Sequence, residues 1–315
     1  MSDTKISIVL PTYNRSTFLL AAVQSCLNQT YANLELIVVD GGSTAETLNI
    51  LAAIRDPRLI IVHQPDNAGR LPGALTLGFA HSTGGYLTWM QDDCLYAPQA
   101  LELLARFLDN RPDVDFVYGD YWNMDEAGQL LDQFVVGKSE QLIDFNCVGM
   151  YHLWRRAVYE AIGDFDIDAF LVEDYEYWLR IARLFKMQPL HDFDHTMFLY
   201  RLHPASLTSW NYTNYRRVRI SAHFKRARFG LSWRKYHFEM AWAHIGEAFA
   251  SYQARDFRNV RSNVLAGIIH NPGWLRNRGV ISIGLESMVG TTIMRKLRSI
   301  SRRLRRRSMG NQPHQ

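Results

Sequence analysis

Cysteine is scarce in this chain of 315 residues: Cys26, Cys94 and Cys147 stand far apart, odd in number and without a CxxC pair. Such a set supports neither a disulfide framework nor a zinc cluster, and it suits a reducing compartment. A charged-then-apolar leader is also lacking. The opening MSDTKISIVLPTYN runs straight into a strand-like segment, so no signal peptide is expected. No uninterrupted apolar stretch reaches the roughly 18 residues of a membrane span. The longest candidate, Val280 to Met294, carries Glu286 together with Ser and Thr. No internal repeat is evident. The expectation is a cytoplasmic protein, soluble or peripheral to a membrane.

What is present is enough for a real core. Hydrophobic residues make up 47% and aromatics 12% of the chain, which argues against disorder. The length allows one large domain, or one domain with a helical appendage. The formal net charge is +4, yet the stretch from Arg295 to Arg307, RKLRSISRRLRRR, holds eight basic residues and no acidic one. The remainder therefore sums to −4: an acidic body carries a basic tail.

Apolar runs alternate with helical periodicity over the first hundred residues. ISIVL (Ile6–Leu10), LELIVVD (Leu34–Asp40), RLIIVHQ (Arg58–Gln64) and YLTWM (Tyr86–Met90) read as strands. Between the first two, Leu19, Val23, Cys26 and Leu27 share a helix face, with Ser16 or Thr17 as the N-cap. Further helices are expected at about Pro72–His81 and Pro98–Asn110, before the strand VDFVYGD. This alternation predicts a mostly parallel sheet covered on both faces. From about residue 121 shorter strands and loops follow, then a helix at Leu171–Phe185 and a strand at Thr196–His203. Beyond residue 212 the pattern is helical, with two packed helices broken at Asn271-Pro272-Gly273.

Ligands of open α/β sheets bind beyond the C-terminal strand ends. Three strands end there in reactive chemistry: Leu10 leads into Pro11-Thr12-Tyr13-Asn14, Val39 into Asp40-Gly41-Gly42-Ser43, and Met90 into Gln91-Asp92-Asp93. Adjacent carboxylates such as Asp92 and Asp93 suit a hard divalent cation. The competing reading of the pair is a solvated turn or a helix N-cap.

The ordered set SIVLPTYNR, LELIVVDGGST, DNAGRLPGALTLGFAHSTGGYLTWMQDD and EDYEYWLR resembles the family 2 glycosyltransferases over about residues 5 to 205. The resemblance implies a GT-A type α/β fold, a mostly parallel central sheet flanked by helices, here with a helical C-terminal extension. It implies an inverting enzyme that takes a sugar from a nucleotide-diphospho-sugar, with a divalent metal (Mg²⁺ or Mn²⁺) neutralising the departing diphosphate. By that resemblance Asp93 is a metal ligand and Asp92 a donor contact. Pro11, Thr12, Tyr13 and Asp40 line the nucleotide pocket, with Tyr13 stacking on the base. The family's usual Asp-Asp-Gly-Ser is Asp40-Gly41-Gly42-Ser43 here, which leaves the nucleotide base open. Arg70 either meets a phosphate oxygen or is an exposed loop arginine. The ED pair supplies the base that deprotonates the acceptor hydroxyl, assigned to Asp174, with Glu173 orienting it or touching the acceptor. The alternative is that both complement the first turn of a helix. His203 matches a strand-end histidine that joins the metal or the diphosphate, unless it is structural. Trp154 and Trp178 are sugar platforms or, as is commoner, core residues. The run HDFDH (His191–His195) has the look of a metal site, but its alternation suits a strand.

The expected organisation is a catalytic domain over residues 1–211, divided at 120 into nucleotide-sugar and acceptor halves. A helical extension at 212–275 and an amphipathic basic tail at 276–315 follow. In the tail, Ile281, Leu285, Met288, Val289, Ile293, Leu297, Ile300 and Leu304 recur at helical steps. A helix of that kind lies in an anionic membrane interface. The expected acceptor is a saccharide, lipid-linked and destined for a surface glycan, and no nucleic-acid partner is expected. Two other classes compete. A nucleotidyltransferase of sugar phosphates would want a Gly-rich basic N-terminal loop, which LPTYNRSTF is not. A non-catalytic lipid- or nucleic-acid-binding module would spread its basic residues over the body.

Overall fold

The computed structural model describes residues 3–64, 70–192, 196–206 and 211–290. The chain forms two compact units, Met1–Ser209 and Trp210–Gln315. In the first, the strands are β1 (Ile6–Thr12), β2 (Leu34–Asp40), β3 (Leu59–His63), β4 (Tyr86–Trp89), β5 (Leu95–Tyr96), β6 (Phe116–Gly119), β7 (Tyr121–Met124), β8 (Leu130–Phe134), β9 (Tyr151–Arg155), β10 (Met187–Leu190) and β11 (Phe198–Arg201). Its helices are α1 (Leu19–Leu27), α2 (Ala45–Ala53), α3 (Arg70–Ala80), α4 (Ala100–Asn110), α5 (Arg156–Ile162) and α6 (Glu173–Ala182).

Seven strands form the main sheet in the order β10-β6-β9-β4-β1-β2-β3, parallel except at β9, and a second sheet runs β5-β11-β7-β8. This is the mostly parallel α/β fold with C-terminal helices that the sequence predicts. The chain proceeds outward from β1 to β3 and returns to place β4 on the other side of β1. The boundary between β1 and β4 is thus a topological switch point, where side chains at the strand ends face a crevice. β1 and β2 are central and bear apolar residues on both faces, so they are buried almost throughout. α3 lies close over them: a Cβ on Gly78 would stand 2.3 Å from Val9 Cγ1, so only glycine fits there.

Buried polar groups mark the opposite end of the sheet. Glu35 takes hydrogen bonds from Lys5 Nζ (2.5 Å), Ser7 Oγ (2.6 Å) and the Thr83 backbone N–H (2.6 Å). Burial alone would raise its pKa, but these donors outweigh burial and hold it below the usual carboxylate range.

Under β4, β6 and β9 lies an aromatic core. Trp154 and Trp178 are fully buried in it, packed on Phe116 and His152, so both are core residues and not sugar platforms. Burial pushes the His152 imidazole down to about 3. The unfolded chain therefore takes up a proton below about pH 6.5 that the folded chain refuses, and stability falls as pH drops. The loss approaches about 1.4 kcal/mol per pH unit for a fully buried histidine. Melting temperature is expected to decline between pH 7 and 5, and His152→Leu to flatten that slope. An unchanged slope would refute this reading.

In the second unit are α7 (Asn211–Arg228), α8 (Trp233–Gln253), α9 (Phe257–His270) and α10 (Arg278–Val289). Ile245, Ala248, Val260, Val264, Val280 and Ile283 form its core. His244 and His270 also have pKa values lowered chiefly by burial, which adds to the acid sensitivity in the same direction. Around them stand His223, His237 and the Arg219–Glu247 ion pair.

Several element boundaries differ from expectation. α1 starts at Leu19 with Phe18 at the N-cap position, so neither Ser16 nor Thr17 caps it. The two packed helices of the extension separate at Ala254–Asp256, where Arg255 takes a φ of 59° and Asp256 caps α9. Asn271-Pro272-Gly273 instead ends the second of them and opens a 3-10 turn. α10 stops at Val289, with Gly290 at φ 82°. The expected stripe therefore keeps Ile281, Leu285, Met288 and Val289 on this helix, while Ile293, Leu297, Ile300 and Leu304 lie outside the described residues. Among the described residues no helix is long and apolar enough to cross a membrane.

Candidate active site

Asp92 and Asp93 follow β4 after Met90 and Gln91 and are buried, 8% and 7% exposed, which rules out a solvated turn. α4 begins only at Ala100, so they do not cap it. Each carboxylate has its own partners. Thr12, the last residue of β1, donates its hydroxyl to Asp92 Oδ2 at 2.7 Å. Arg15 brings Nε to 3.5 Å from Asp92 Oδ1 and turns its two terminal nitrogens to the Ala205 carbonyl, each at 3.5 Å. That Nε is buried and makes no hydrogen bond. Burial drives the Asp92 carboxyl up to about 7; the neighbouring Asp93 charge adds to the rise, and Arg15 and Thr12 oppose it.

Asp93 Oδ2 lies 2.9 Å from His203 Nε2, and Cys94 donates its thiol to Oδ1 at 3.3 Å. The backbone here is held from β11, because Arg201 donates Nε to the Asp93 carbonyl at 3.0 Å. Arg201 also reaches the Asp125 and Glu126 carbonyls and stacks its guanidinium over Phe18, 4.5 Å from the ring centroid. Phe18 in turn packs on His203 at 5.1 Å. The histidine is thus fixed in orientation toward Asp93.

Beside this cluster, the β1 and β2 loops are stitched together. Gly41 N–H donates to the Thr12 carbonyl, Asn14 N–H to Ser43 Oγ, and Thr44 N–H to Asn14 Oδ1. Asn14 at φ 51° and Gly42 at φ 84° give the loops their bends. Tyr13 is left 49% exposed after Pro11 and Thr12. Asp40 is buried and accepts from Ser43 N–H, with His63 Nδ1 at 3.4 Å from its Oδ2. His63 ends β3 and extends the row of strand-end groups.

On the acceptor side, Glu173 and Asp174 open α6, both buried. Glu173 Oε2 accepts at 2.6 Å from the N–H of Leu171, the residue just before the helix N-cap Val172. Asp174 accepts from Tyr175 N–H (2.7 Å) and from the Asn146 side-chain amide (3.0 Å). Tyr121 is buried within electrostatic reach of both Cys94, which adjoins Asp93, and Asp174. Arg70 begins α3 and stacks over Phe170, 4.6 Å from its centroid, three residues before Glu173.

The structure therefore brings Thr12, Asp92, Asp93 and His203 together, and stitches the Asp40 loop to the Thr12 loop. Arg15 joins Asp92, His63 joins Asp40 and Asn146 joins Asp174, although the sequence reading did not single them out. Arg15 lies in the quoted PTYNR stretch, and His63 is legible as a strand end; Asn146 leaves no comparable signal. Within HDFDH, His191 pairs with Asp120 (3.1 Å), and residues 193–195 lie outside the described residues.

A divalent-cation site can be tested against these donors. Among the described residues no three His, Cys, Asp or Glu side chains converge on one point. Asp93 and His203 do present an oxygen and a nitrogen to each other at 2.9 Å. One or two carboxylates, completed by phosphate oxygens and water, is the ordinary way Mg²⁺ is held beside a nucleotide, and Asp93 supplies one such carboxylate. The residues fit that kind of site.

A mostly parallel α/β sheet with paired carboxylates beside its switch point puts the candidate site where open α/β sheets take their ligands. Comparison with known proteins gives the family. Residues 7–205 match the family described as glycosyl transferase family 2, and the chain belongs to it. An uncharacterized glycosyltransferase of Rickettsia prowazekii is 28% identical over 219 residues, 65% of this chain and 66% of that one. A PGL/p-HBAD biosynthesis glycosyltransferase of Mycobacterium bovis is 30% identical over 184 residues, 57% of this chain and 70% of its own length. Matches to the rickettsial relatives span from 20% to 66% of the length of those proteins. Among solved structures, residues 1–349 of S. aureus TarS in complex with UDP-GlcNAc superpose with a TM-score of 0.58 at 14% identity, covering 85% of this chain and 92% of that one. The UDP complex gives a TM-score of 0.57 at 16% identity, with 90% of each chain covered. At such identities the likeness is one of fold.

Proposed function

We propose that this protein is an inverting, GT-A type glycosyltransferase that moves a sugar from a nucleotide-diphospho-sugar to a saccharide acceptor. The observation that carries this reading is the buried Thr12–Asp92–Asp93–His203 cluster at the β1/β4 switch point. Family membership and the UDP and UDP-GlcNAc complexes of TarS support it.

Each part has a task. Tyr13 stacks on the nucleobase, Asp40 and Pro11 border it, and Asp92 accepts from the donor's ribose. Arg15 offers the diphosphate its buried, unsatisfied Nε, and Arg70 approaches from α3. Asp93 and His203 are the residues that would hold Mg²⁺ or Mn²⁺, which when bound neutralises the charge growing on the departing nucleoside diphosphate. Asp174, oriented by Asn146 and Tyr175 N–H, takes the proton of the acceptor hydroxyl. The new C–O bond then forms at the anomeric carbon as the bond to phosphate breaks on the opposite face. Glu173 shapes the helix start that positions Asp174. The acceptor we favour is a lipid-linked saccharide for a surface glycan, reached by a chain whose basic tail rests on the inner membrane face. Residues 291–315, which hold most of that tail, lie outside the described residues.

The first test is thermal stabilisation by UDP, GDP, TDP and CDP, with and without Mn²⁺ or Mg²⁺. One nucleotide is expected to raise the melting temperature, and more so with the cation. At a concentration about a hundredfold above Kd the gain is about 2.7 kcal/mol. No stabilisation by any of the four would overturn the reading.

A further inference from the structure

We propose that the outward face of α9 and α10 is a docking surface for an anionic lipid bilayer. The proposal does not need the transferase reading, and it extends membrane contact from the α10 part of the expected stripe to α9, outside the 276–315 tail.

α9 has two unlike sides. Val260, Asn263, Val264 and Gly267 face inward, and Val260 and Val264 belong to the unit's core. On the other side, Arg258, Arg261, Leu265 and Ile269 recur at steps of three and four residues and are exposed. Leu265 and Ile269 leave 62% and 67% of their surface in solvent. α10 repeats the arrangement. Val280, Ile283 and Ser287 turn inward, while Leu285 and Met288 are 47% and 66% exposed. The two faces meet where Arg261 donates to the Ser287 carbonyl at 3.3 Å, one residue before Met288. Aliphatic side chains grouped with arginines form a surface that inserts its apolar groups at the acyl boundary and keeps guanidinium groups among the headgroups.

Charge identifies the occupant. Residues 210–290 hold 13 Lys and Arg against four Asp and Glu, a formal +9, whereas residues 1–209 sum to −13. The next 25 residues after this face include the eight basic residues between Arg295 and Arg307. A second copy docked by two-fold symmetry would set this basic unit against itself, an arrangement like charges oppose. A nucleic acid would match the charge but gain nothing from Leu265, Ile269 and Met288. An anionic bilayer matches both.

The test uses the full chain and sedimentation with phosphatidylcholine vesicles, with or without phosphatidylglycerol. The wild type is expected on the anionic vesicles and not on the neutral ones. The triple variant Leu265→Ser, Ile269→Ser, Met288→Ser keeps every basic residue and removes only exposed apolar groups. Its affinity for the anionic vesicles is expected to fall by at least about tenfold, with unchanged melting temperature. Undiminished binding of the variant would mean that the tail alone holds the protein, and would overturn the proposal. So would a wild-type chain that binds oligonucleotides but not vesicles, or one whose dimer, seen by light scattering, dissociates in the variant. No sugar donor is present, so the result stands apart from that of the transferase assay.

Discussion

Asp93→Ala is expected to lower sugar transfer by about three orders of magnitude or more, the scale of a charge stabilisation worth several kcal/mol at the leaving group. The expectation follows from the geometry. Asp93 supplies the carboxylate that meets His203, and its main chain is anchored separately by Arg201. Removing the side chain takes away the acidic half of the pair while the loop stays in place. The variant also loses the extra thermal stabilisation that Mn²⁺ or Mg²⁺ adds to the bound nucleotide. The vacated contacts to His203 and Cys94 cost about 1–3 kcal/mol of stability, which leaves a folded protein to assay. Transfer at the wild-type rate would end the assignment of a cation to this pair.

Asp174→Asn tests the other half of the reaction. The substitution keeps the size of the side chain and an oxygen for Tyr175 N–H, and removes the ability to take a proton. Transfer is expected to fall by about 10²–10⁴-fold in kcat, with donor affinity unchanged. If instead donor KM rises and kcat is preserved, Asp174 belongs to the donor pocket and the base lies elsewhere. The two variants thus separate departure of the nucleotide from activation of the acceptor.

Much of the first unit was legible because its central strands are buried on both faces. Such strands appear in sequence as continuous apolar runs, and Ile8–Leu10 and Leu36–Val39 are of this kind. α2 was not, since only Thr47 and Leu51 are buried along it and its periodicity is faint. The break between α8 and α9 was missed for a different reason. SYQARDF contains neither Gly nor Pro, and the turn is made by Arg255 in a left-handed conformation with Asp256 as the cap. In the site, the strand-end positions of Thr12, Asp40 and Asp92 were readable from pattern. The pairing of Asp93 with His203 spans 110 residues, so no local spacing announces it, and only the ordered set of motifs suggested it. Arg15 beside Asp92 and Asn146 beside Asp174 depend on how loops fold back, which periodicity does not encode.

The Glu35 knot at the far end of the sheet has a bearing on all of this chemistry. Ser7 lies opposite Glu35 in the same parallel ladder that sets Thr12 opposite Asp40. Because strand side chains alternate, a slip of one residue would drive Glu35 into the apolar layer without its donors. Lys5, Ser7 and Thr83 thus act as an index mark for the ladder. An error at one end would misplace the crevice at the other, five residue pairs away, so a group that never meets a sugar secures the alignment of those that do.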